Sequence, residues 1–407
     1  MVKTVVIVND FAFLNGGAGK VALSSAKALP SMGIRTILFS AVAPVDESLR
    51  MAGVEVVCLE QYDILSSPSK LRAAVQGVWN KKALREFSSL LDSLDEKTTI
   101  IHLHGWSKAI SASLWKALSG RNFEVVVTLH DYFLFCPNLG LYNYRKKKIC
   151  DVSPSSFRCY LCNCDARSYA QKLWRSFRQV VQWSQLRSAD KFSLITIGET
   201  NRNVSVNSLE SYVKKVYFLQ NPVDLTDDER VKVEENDVYV FMGRLSYEKG
   251  VEMFCEAISS LHLKGCVVGD GYLKEELDKK YPQLPFVGWK SGAEKMDILK
   301  KAKCLVFPSL WYEGAPLTII EMKSMGIPCI VPDRCAASEV VTEGESGFIF
   351  PIGDMDGLKQ AIMRCENSNL GRMSEQTVNG FDKSLYSLDT HVNSLIGIYN
   401  DILSHKS

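Results

Sequence analysis

The sequence predicts an α/β protein of two open, doubly wound domains, and three observations predict it. The chain has 407 residues, more than one hydrophobic core usually serves, since domains cluster near ~100–200 residues. Short β-branched runs alternate with longer helical patterns, as in repeated βαβ units. The alternation breaks at Gln220-Asn221-Pro222-Val223-Asp224 and then restarts.

In the first half, the runs at 4–8, 35–39, 99–103, 124–129 and 193–197 read as buried parallel strands. A helical pattern over 20–32 ends at Gly33, a helix stop followed at once by a strand. The Asn221-Pro222 pair forbids a helix, and the charged stretch after it reads as an interdomain linker. Strands are expected again at 238–242, 265–268, 285–287, 304–308, 328–331 and 347–350. The tail 388–403 is amphipathic, with Val392, Leu395, Ile396, Ile398, Tyr399 and Ile402 apolar. The expected division is 1–222, with a cysteine-bearing insertion at about 136–165, then 223–385, then a terminal helix at 386–407 docking back toward the first domain.

Composition narrows the partners. A net charge of +2 with 23% charged residues gives no global attraction to nucleic acid. The apolar run before Asn9 is too short for a signal or a membrane span, and no stretch reaches the roughly 20 apolar residues of a spanning helix. A cytoplasmic protein, at most peripheral to the cytoplasmic face of a membrane, is expected.

Ligands of open α/β domains bind where strand C-termini meet helix N-termini, and two facing domains make a cleft there. The loop Gly243-Arg244-Leu245-Ser246-Tyr247-Glu248-Lys249-Gly250 follows a strand and places two cations there. Arg244 can fork onto phosphate oxygens and Lys249 adds a point charge, which suits a diphosphate; a solvated loop with an internal Glu248–Lys249 pair is the plainer alternative. In a second segment, Glu313 precedes the small-residue turn Gly314-Ala315-Pro316-Leu317, which opens a helix carrying Glu321. Free amides there form an anion site, and the carboxylates suit sugar and ribose hydroxyls; helix-dipole and solvent-facing roles are the alternatives. His130-Asp131 emerges from the strand at 124–129, with His102 and His104 on the strand before it, read as structural or supporting. The loop Asn15-Gly16-Gly17-Ala18-Gly19-Lys20 is not a phosphate loop of the G-x-x-x-x-G-K-[ST] type, because Leu14 and Val21 occupy the required positions. Asp354-Met355-Asp356 spells D-x-D but opens an apolar-periodic helix, so Asp354 reads as an N-cap.

The segments GRLSYEKG, GDGYLKEEL, EGAPLTIIE and SEVVTEGESGFIFPIGD, in this order and at these separations, resemble family 4 of the retaining GT-B glycosyltransferases. The start VVIVNDFAFLNGGAGKVALSSAKAL is similar to that family's glycine loop and helix, and QNPVD to its linker. The resemblance implies two Rossmann-like domains facing across a cleft. It further implies that Arg244 and Lys249 bind the donor diphosphate, Glu313 the donor sugar and Glu321 the ribose. By the same resemblance the amides of Gly314, Ala315, Pro316 and Leu317 line the phosphate and sugar, Gly16 and Gly17 let the backbone approach the donor, and His130 lies against the reacting sugar. The implied activity moves a hexose from a nucleotide diphosphate sugar to a saccharide or lipid-linked saccharide in bacterial surface-polysaccharide assembly. Retention is part of that implication; catalysis is expected to need no metal cofactor. A non-catalytic sugar-nucleotide sensor would keep Arg244, Lys249 and Glu321 but could dispense with His130 and Glu313.

Cys136, Cys150, Cys159 and Cys162, with Cys164 nearby, crowd into the insertion. They can be read as a structural zinc site stapling a coreless loop or as packed thiols. Basic and aromatic residues interleave over 167–187, which suits either an anionic bilayer or a helix packed on its own domain with a solvated basic face.

Overall fold

The computed structural model describes residues 1–154, 156–225 and 229–405, so Thr226–Asp228 of the expected linker lie outside the described residues. It divides into two compact α/β units: Met1–Gly140, Val152–Pro222 and Leu385–Ser407 in the first, Leu141–Asp151 and Val223–Ser384 in the second.

The first stretch of chain gives β1 (Thr4–Asn9), α1 (Gly16–Ala28), β2 (Arg35–Ser40), α2 (Glu47–Met51), β3 (Glu55–Cys58), α3 (Lys70–Val78), α4 (Lys81–Asp92), β4 (Thr99–Gly105), α5 (Ser113–Leu118) and β5 (Glu124–Thr128). A short hairpin, β6 (Tyr142–Asn143) and β7 (Lys148–Ile149), precedes α6 (Phe157–Leu161), α7 (Tyr169–Leu186), β8 (Phe192–Thr196), α8 (Glu199–Leu209) and β9 (Val213–Phe218). The parallel sheet of the first unit runs β3-β2-β1-β4-β5-β8-β9. Its interior strand β1, TVVIVN, is buried at every residue, as a strand covered by helices on both faces must be. Strands β3 and β9 were not anticipated. They are the two outermost strands, and β9 (VKKVYF) exposes both lysines, so neither carries the continuous apolar run that marks a central strand.

The second unit continues with β10 (Val238–Met242), α9 (Val251–Ser260), β11 (Lys264–Val268), α10 (Lys274–Lys280), α11 (Gly292–Leu299), β12 (Ala302–Val306), α12 (Leu317–Ser324), β13 (Cys329–Pro332), β14 (Gly347–Phe350), α13 (Met355–Glu366) and α14 (Leu370–Asn379). Its parallel sheet runs β11-β10-β12-β13-β14. The run at 285–287 is no strand of its own; it contributes one bridge, Phe286 to Val267. Asp354 caps α13, its side chain accepting from the Asp356 amide.

Three local features differ from the sequence expectations. Helix α1 begins at Gly16 rather than at 20, with Gly16 at a φ of +82° that glycine adopts without strain. The insertion is divided between the units: residues 141–151 group with the second, where the Lys147 ammonium lies 4.0 Å above the Tyr247 ring and 3.8 Å from Glu252. Helix α7 is inverted relative to a solvated basic face. Lys172, Ser176, Arg178, Gln179 and Gln182 point inward, while Tyr169, Leu173, Phe177 and Val180 are exposed.

The terminal helix α15 (Leu388–Ser404) packs Val392, Leu395, Tyr399 and Ile402 into the same core as Val5, Ile7, Ala22 and Ala26. Polar ties fix its register: the Val2 amide donates to Asn400 Oδ1 at 2.9 Å and Tyr217 to Asp401 at 2.5 Å. Leu395 is fully buried, so Leu395→Ala should cost about 2–5 kcal/mol of first-unit stability. Urea unfolding followed by tryptophan fluorescence checks this; a loss under ~1 kcal/mol would mean the helix is not part of that core.

Candidate active site

In the second unit the strand order reverses between β10 and β12, the point where ligands of open α/β sheets bind. The loops leaving those two strands hold the candidate residues. After β10, the chain turns through Gly243–Gly250; after β12, it runs through Phe307–Pro316 into α12. Two backbone-directed hydrogen bonds join the loops, from the Leu310 amide to Glu248 O at 2.8 Å and from Ser309 Oγ to the same carbonyl at 3.4 Å. Gly250 permits the approach: its φ is +69°, and a Cβ there would meet Pro308 O at 1.9 Å.

This approach brings Lys249 and Glu313 into contact. Lys249 Nζ lies 2.5 Å from Glu313 Oε1, which also accepts from Ser309 Oγ at 2.9 Å and Trp311 Nε1 at 2.6 Å. Burial pushes the Glu313 carboxyl up, but the Lys249 charge and the three donors outweigh it and hold it below the usual carboxylate range. The site thus carries a fixed carboxylate and a cation on one hydrogen-bonded unit. Arg244, by contrast, is exposed and has no ion-pair partner among the described residues. Gly314, Ala315, Pro316 and Leu317 are partly exposed at the start of α12, where first-turn amides lack helical acceptors. Glu321 stands on α12 and pairs with Lys295 of α11 at 3.0 Å. The structure therefore joins Lys249 with Glu313, while Glu321 belongs to a separate pair.

In the first unit the order reverses between β1 and β4. Asp10, at the end of β1, is buried and accepts from the amides of Lys108, Ala109 and Ile110 at 2.6, 2.9 and 2.8 Å. It fixes the loop after β4 against the loop after β1. Gly16 and Gly17 sit exposed in the first turn of α1. His130 follows β5, and its Nε2 lies 2.9 Å from Nδ1 of His104 on β4. His102, two residues earlier, bonds Tyr399 of α15 at 2.6 Å and Thr128 at 2.7 Å. His391 of α15 meets Gln220 O at 2.7 Å and Ser25 at 3.2 Å. All four histidines titrate below the ordinary value. Loss of hydration is the largest cause in each, reinforced for His102, His104 and His130 by neighbouring histidines; His130, although its ring is partly exposed, is pushed down to about 3.

Among the described residues no three His, Cys, Asp or Glu side chains, the candidate zinc cysteines Cys136, Cys150, Cys159 and Cys162 included, are placed to hold a metal ion. Cys159 faces the buried Lys172 ammonium at 3.8 Å, and the neighbouring Cys164 receives the Asn138 amide at 3.1 Å.

The description "Glycosyl transferase 4-like domain" matches residues 16–192, and "Glycosyl transferases group 1" matches residues 224–380. Together the two matches take in most of both units. The chain belongs to the family 4-type glycosyltransferases of the GT-B fold. This glycosyltransferase is similar to the Escherichia coli UDP-Gal:alpha-D-GlcNAc-diphosphoundecaprenol alpha-1,3-galactosyltransferase, with 23% identity over 88% of this chain and 95% of the relative. Its fold resembles sucrose-phosphate synthase from Thermosynechococcus elongatus, at a TM-score of 0.70, 17% identity and 99% coverage of both chains. It also resembles the Anabaena protein HepE in complex with UDP-glucose, at a TM-score of 0.66 and 14% identity over 98% of this chain and 99% of that one. Asp10, Lys295 and His391 had no assigned role in the sequence, because each acts through a partner remote along the chain; Ser309 and Trp311, close to Glu313 in sequence, carry no mark of their shared contact with its carboxylate.

Two predictions follow from the electrostatics. Lys249→Met leaves Glu313 buried without its cation and should destabilise the second unit by about 3–5 kcal/mol, whereas Lys249→Met/Glu313→Gln should recover much of the loss. The Glu313 contribution is present above its unfolded value near 4.5 and is lost as pH falls through the lower folded value. Urea unfolding at pH 7 and pH 4 tests it, and additive losses in the double variant would dissolve the pair. For the histidines the unfolded state binds the extra protons, so first-unit stability is full above pH ~6.5 and falls as pH drops toward the folded values. The slope approaches ~1.4 kcal/mol per pH unit for each histidine. His102→Gln should remove one proton's worth of that slope, and a stability curve flat between pH 7.5 and 5 would contradict the assignment.

Proposed function

We propose that this glycosyltransferase moves a hexose, with retention of configuration, from a nucleotide diphosphate sugar to a saccharide or lipid-linked saccharide in bacterial surface-polysaccharide assembly. The observation that carries the reading is the Lys249–Glu313 unit at the strand-order reversal of the second unit, with the exposed Arg244 on the same loop as Lys249. The two cations suit the donor diphosphate and would neutralise the charge that develops on it as the sugar departs. With that task in the hands of side chains, the reading requires no catalytic metal. Glu313, held ionised, accepts hydrogen bonds from sugar hydroxyls, and the amides at the start of α12 add donors for phosphate or sugar oxygens. Glu321, with Lys295, suits the ribose diol. In the first unit, the glycines at the start of α1 leave the backbone open to close approach.

Burial pushes His130 toward the neutral form, in which it meets a substrate as a hydrogen-bonding group. His104 Nε2 is buried without a partner among the described residues. Placing the single proton of His104 on Nδ1 avoids a buried, unpaired N–H, makes His130 Nε2 the acceptor and leaves the His130 proton on Nδ1, available to a sugar hydroxyl. The E. coli relative, named for an undecaprenol-linked acceptor, and the UDP-glucose complex of HepE support the acceptor and donor classes. A lipid-linked acceptor places the work at the cytoplasmic face of a membrane.

Purified protein in EDTA, screened against UDP-, GDP- and ADP-sugars, should bind one donor and hydrolyse it slowly. Arg244→Ala and Glu313→Gln should each lower kcat/KM by about 10²–10³, and NMR of the transfer product should show the donor's anomeric configuration kept. If no donor binds, or both variants keep full activity, the assignment of this site is wrong.

A further inference from the structure

We infer that the outer faces of α3, α6 and α7 together form a docking surface for an anionic phospholipid bilayer. Each helix exposes large apolar side chains one turn apart: Leu71 (77%) and Val75 on α3, Phe157 (76%) and Leu161 on α6, and Tyr169, Leu173, Phe177 (59%) and Val180 on α7. The three helices are neighbours. α7 packs against both others, with Trp174 Nε1 donating to Ala74 O of α3 at 3.1 Å and Tyr169 to Leu161 O of α6 at 3.2 Å. Scattered exposed apolar residues are ordinary, but a stripe repeated on three packed helices marks an interaction site.

The orientation of α7 is set from inside. Gln179 donates to Leu134 O at 2.8 Å, Gln182 to Phe133 O at 3.0 Å and Arg178 to Ser107 O at 2.7 Å, while Trp106 donates to Gln182 at 2.9 Å. These carbonyls belong to the loops after β4 and β5, which have no ladder partner. The polar face of α7 is committed to them, so its apolar face points outward.

Charge selects the occupant. No acid lies between Asp63 and Glu86, and between 152 and 189 the one acid is Asp165, buried and paired with Arg175 at 3.0 Å. Lys70, Arg72, Arg158 and Arg167 are exposed around the apolar stripe. Apolar residues rimmed by exposed cations fit the headgroup region of an anionic leaflet. A second copy of this chain would set that basic rim against itself. Among the described residues no helix is long and apolar enough to cross a membrane, so the contact is interfacial.

The inference gives the proposed lipid-linked acceptor reading a location, but its deciding readout is flotation, which needs neither donor nor acceptor, so either can fail alone. The full chain should float with phosphatidylglycerol-containing vesicles and not with phosphatidylcholine vesicles, and the bound fraction should fall as salt rises. Leu173→Glu/Phe177→Glu, and separately Arg72→Glu/Arg158→Glu, should each reduce flotation by about tenfold or more. Both should leave thermal unfolding and donor hydrolysis unchanged. Failure of the wild type to float, equal flotation with both lipids, or variants that float like the wild type would overturn the inference. So would a wild-type dimer that Leu173→Glu/Phe177→Glu turns into monomer, since a second copy would then be the occupant.

Discussion

The ionised, buried carboxylate of Glu313 is the constraint around which the second unit's site is arranged. A carboxylate taken out of water needs compensation of several kcal/mol, and one cation alone rarely supplies it. Here the compensation comes from a cation and two neutral donors on the same oxygen. To deliver them, the loops after β10 and β12 must touch, and they can touch because residue 250 has no Cβ. The chain of requirement runs from glycine to loop contact to ion pair. A side chain at 250 would separate the loops and leave the carboxylate without Lys249.

The first unit solves a different problem. A parallel sheet ends in loops whose backbone groups have lost their ladder partners, and these loops are where function is placed. Asp10 takes three amides of the loop after β4, and α7 supplies donors to carbonyls of that loop and the next. Above this scaffold the histidines are held neutral by burial. A neutral ring can orient a hydroxyl but cannot act as a proton store near pH 7.

Much of the fold was legible because central strands announce themselves. The runs at 4–8, 99–103 and 124–129 are interior strands buried at every residue and read as apolar whatever surrounds them. Strand β9, with two exposed lysines, carries no such mark and becomes a strand only by pairing with β8. The site was legible in part for the same reason. Arg244, Lys249 and Glu313 sit on short segments with recognisable neighbours, so their nearness to a strand end can be read along the chain. The pairing of Glu321 with Lys295, and of His102 with Tyr399, spans separations that only folding closes.

Helix α7 shows why composition alone gave the wrong face. Basic residues at helical spacing usually indicate a solvated side, because burying a cation costs more than burying a methylene saves. That rule yields when the interior offers carbonyls with no other donor. Arg178 and the two glutamines meet such carbonyls, so turning them outward would strand the loops that carry the first unit's candidate residues. Leu173, Phe177 and Val180 then have no interior left to occupy. The two faces of the helix are thus one decision: the same rotation that satisfies the loops presents an apolar stripe to the outside, and neither face can be reversed without losing the other.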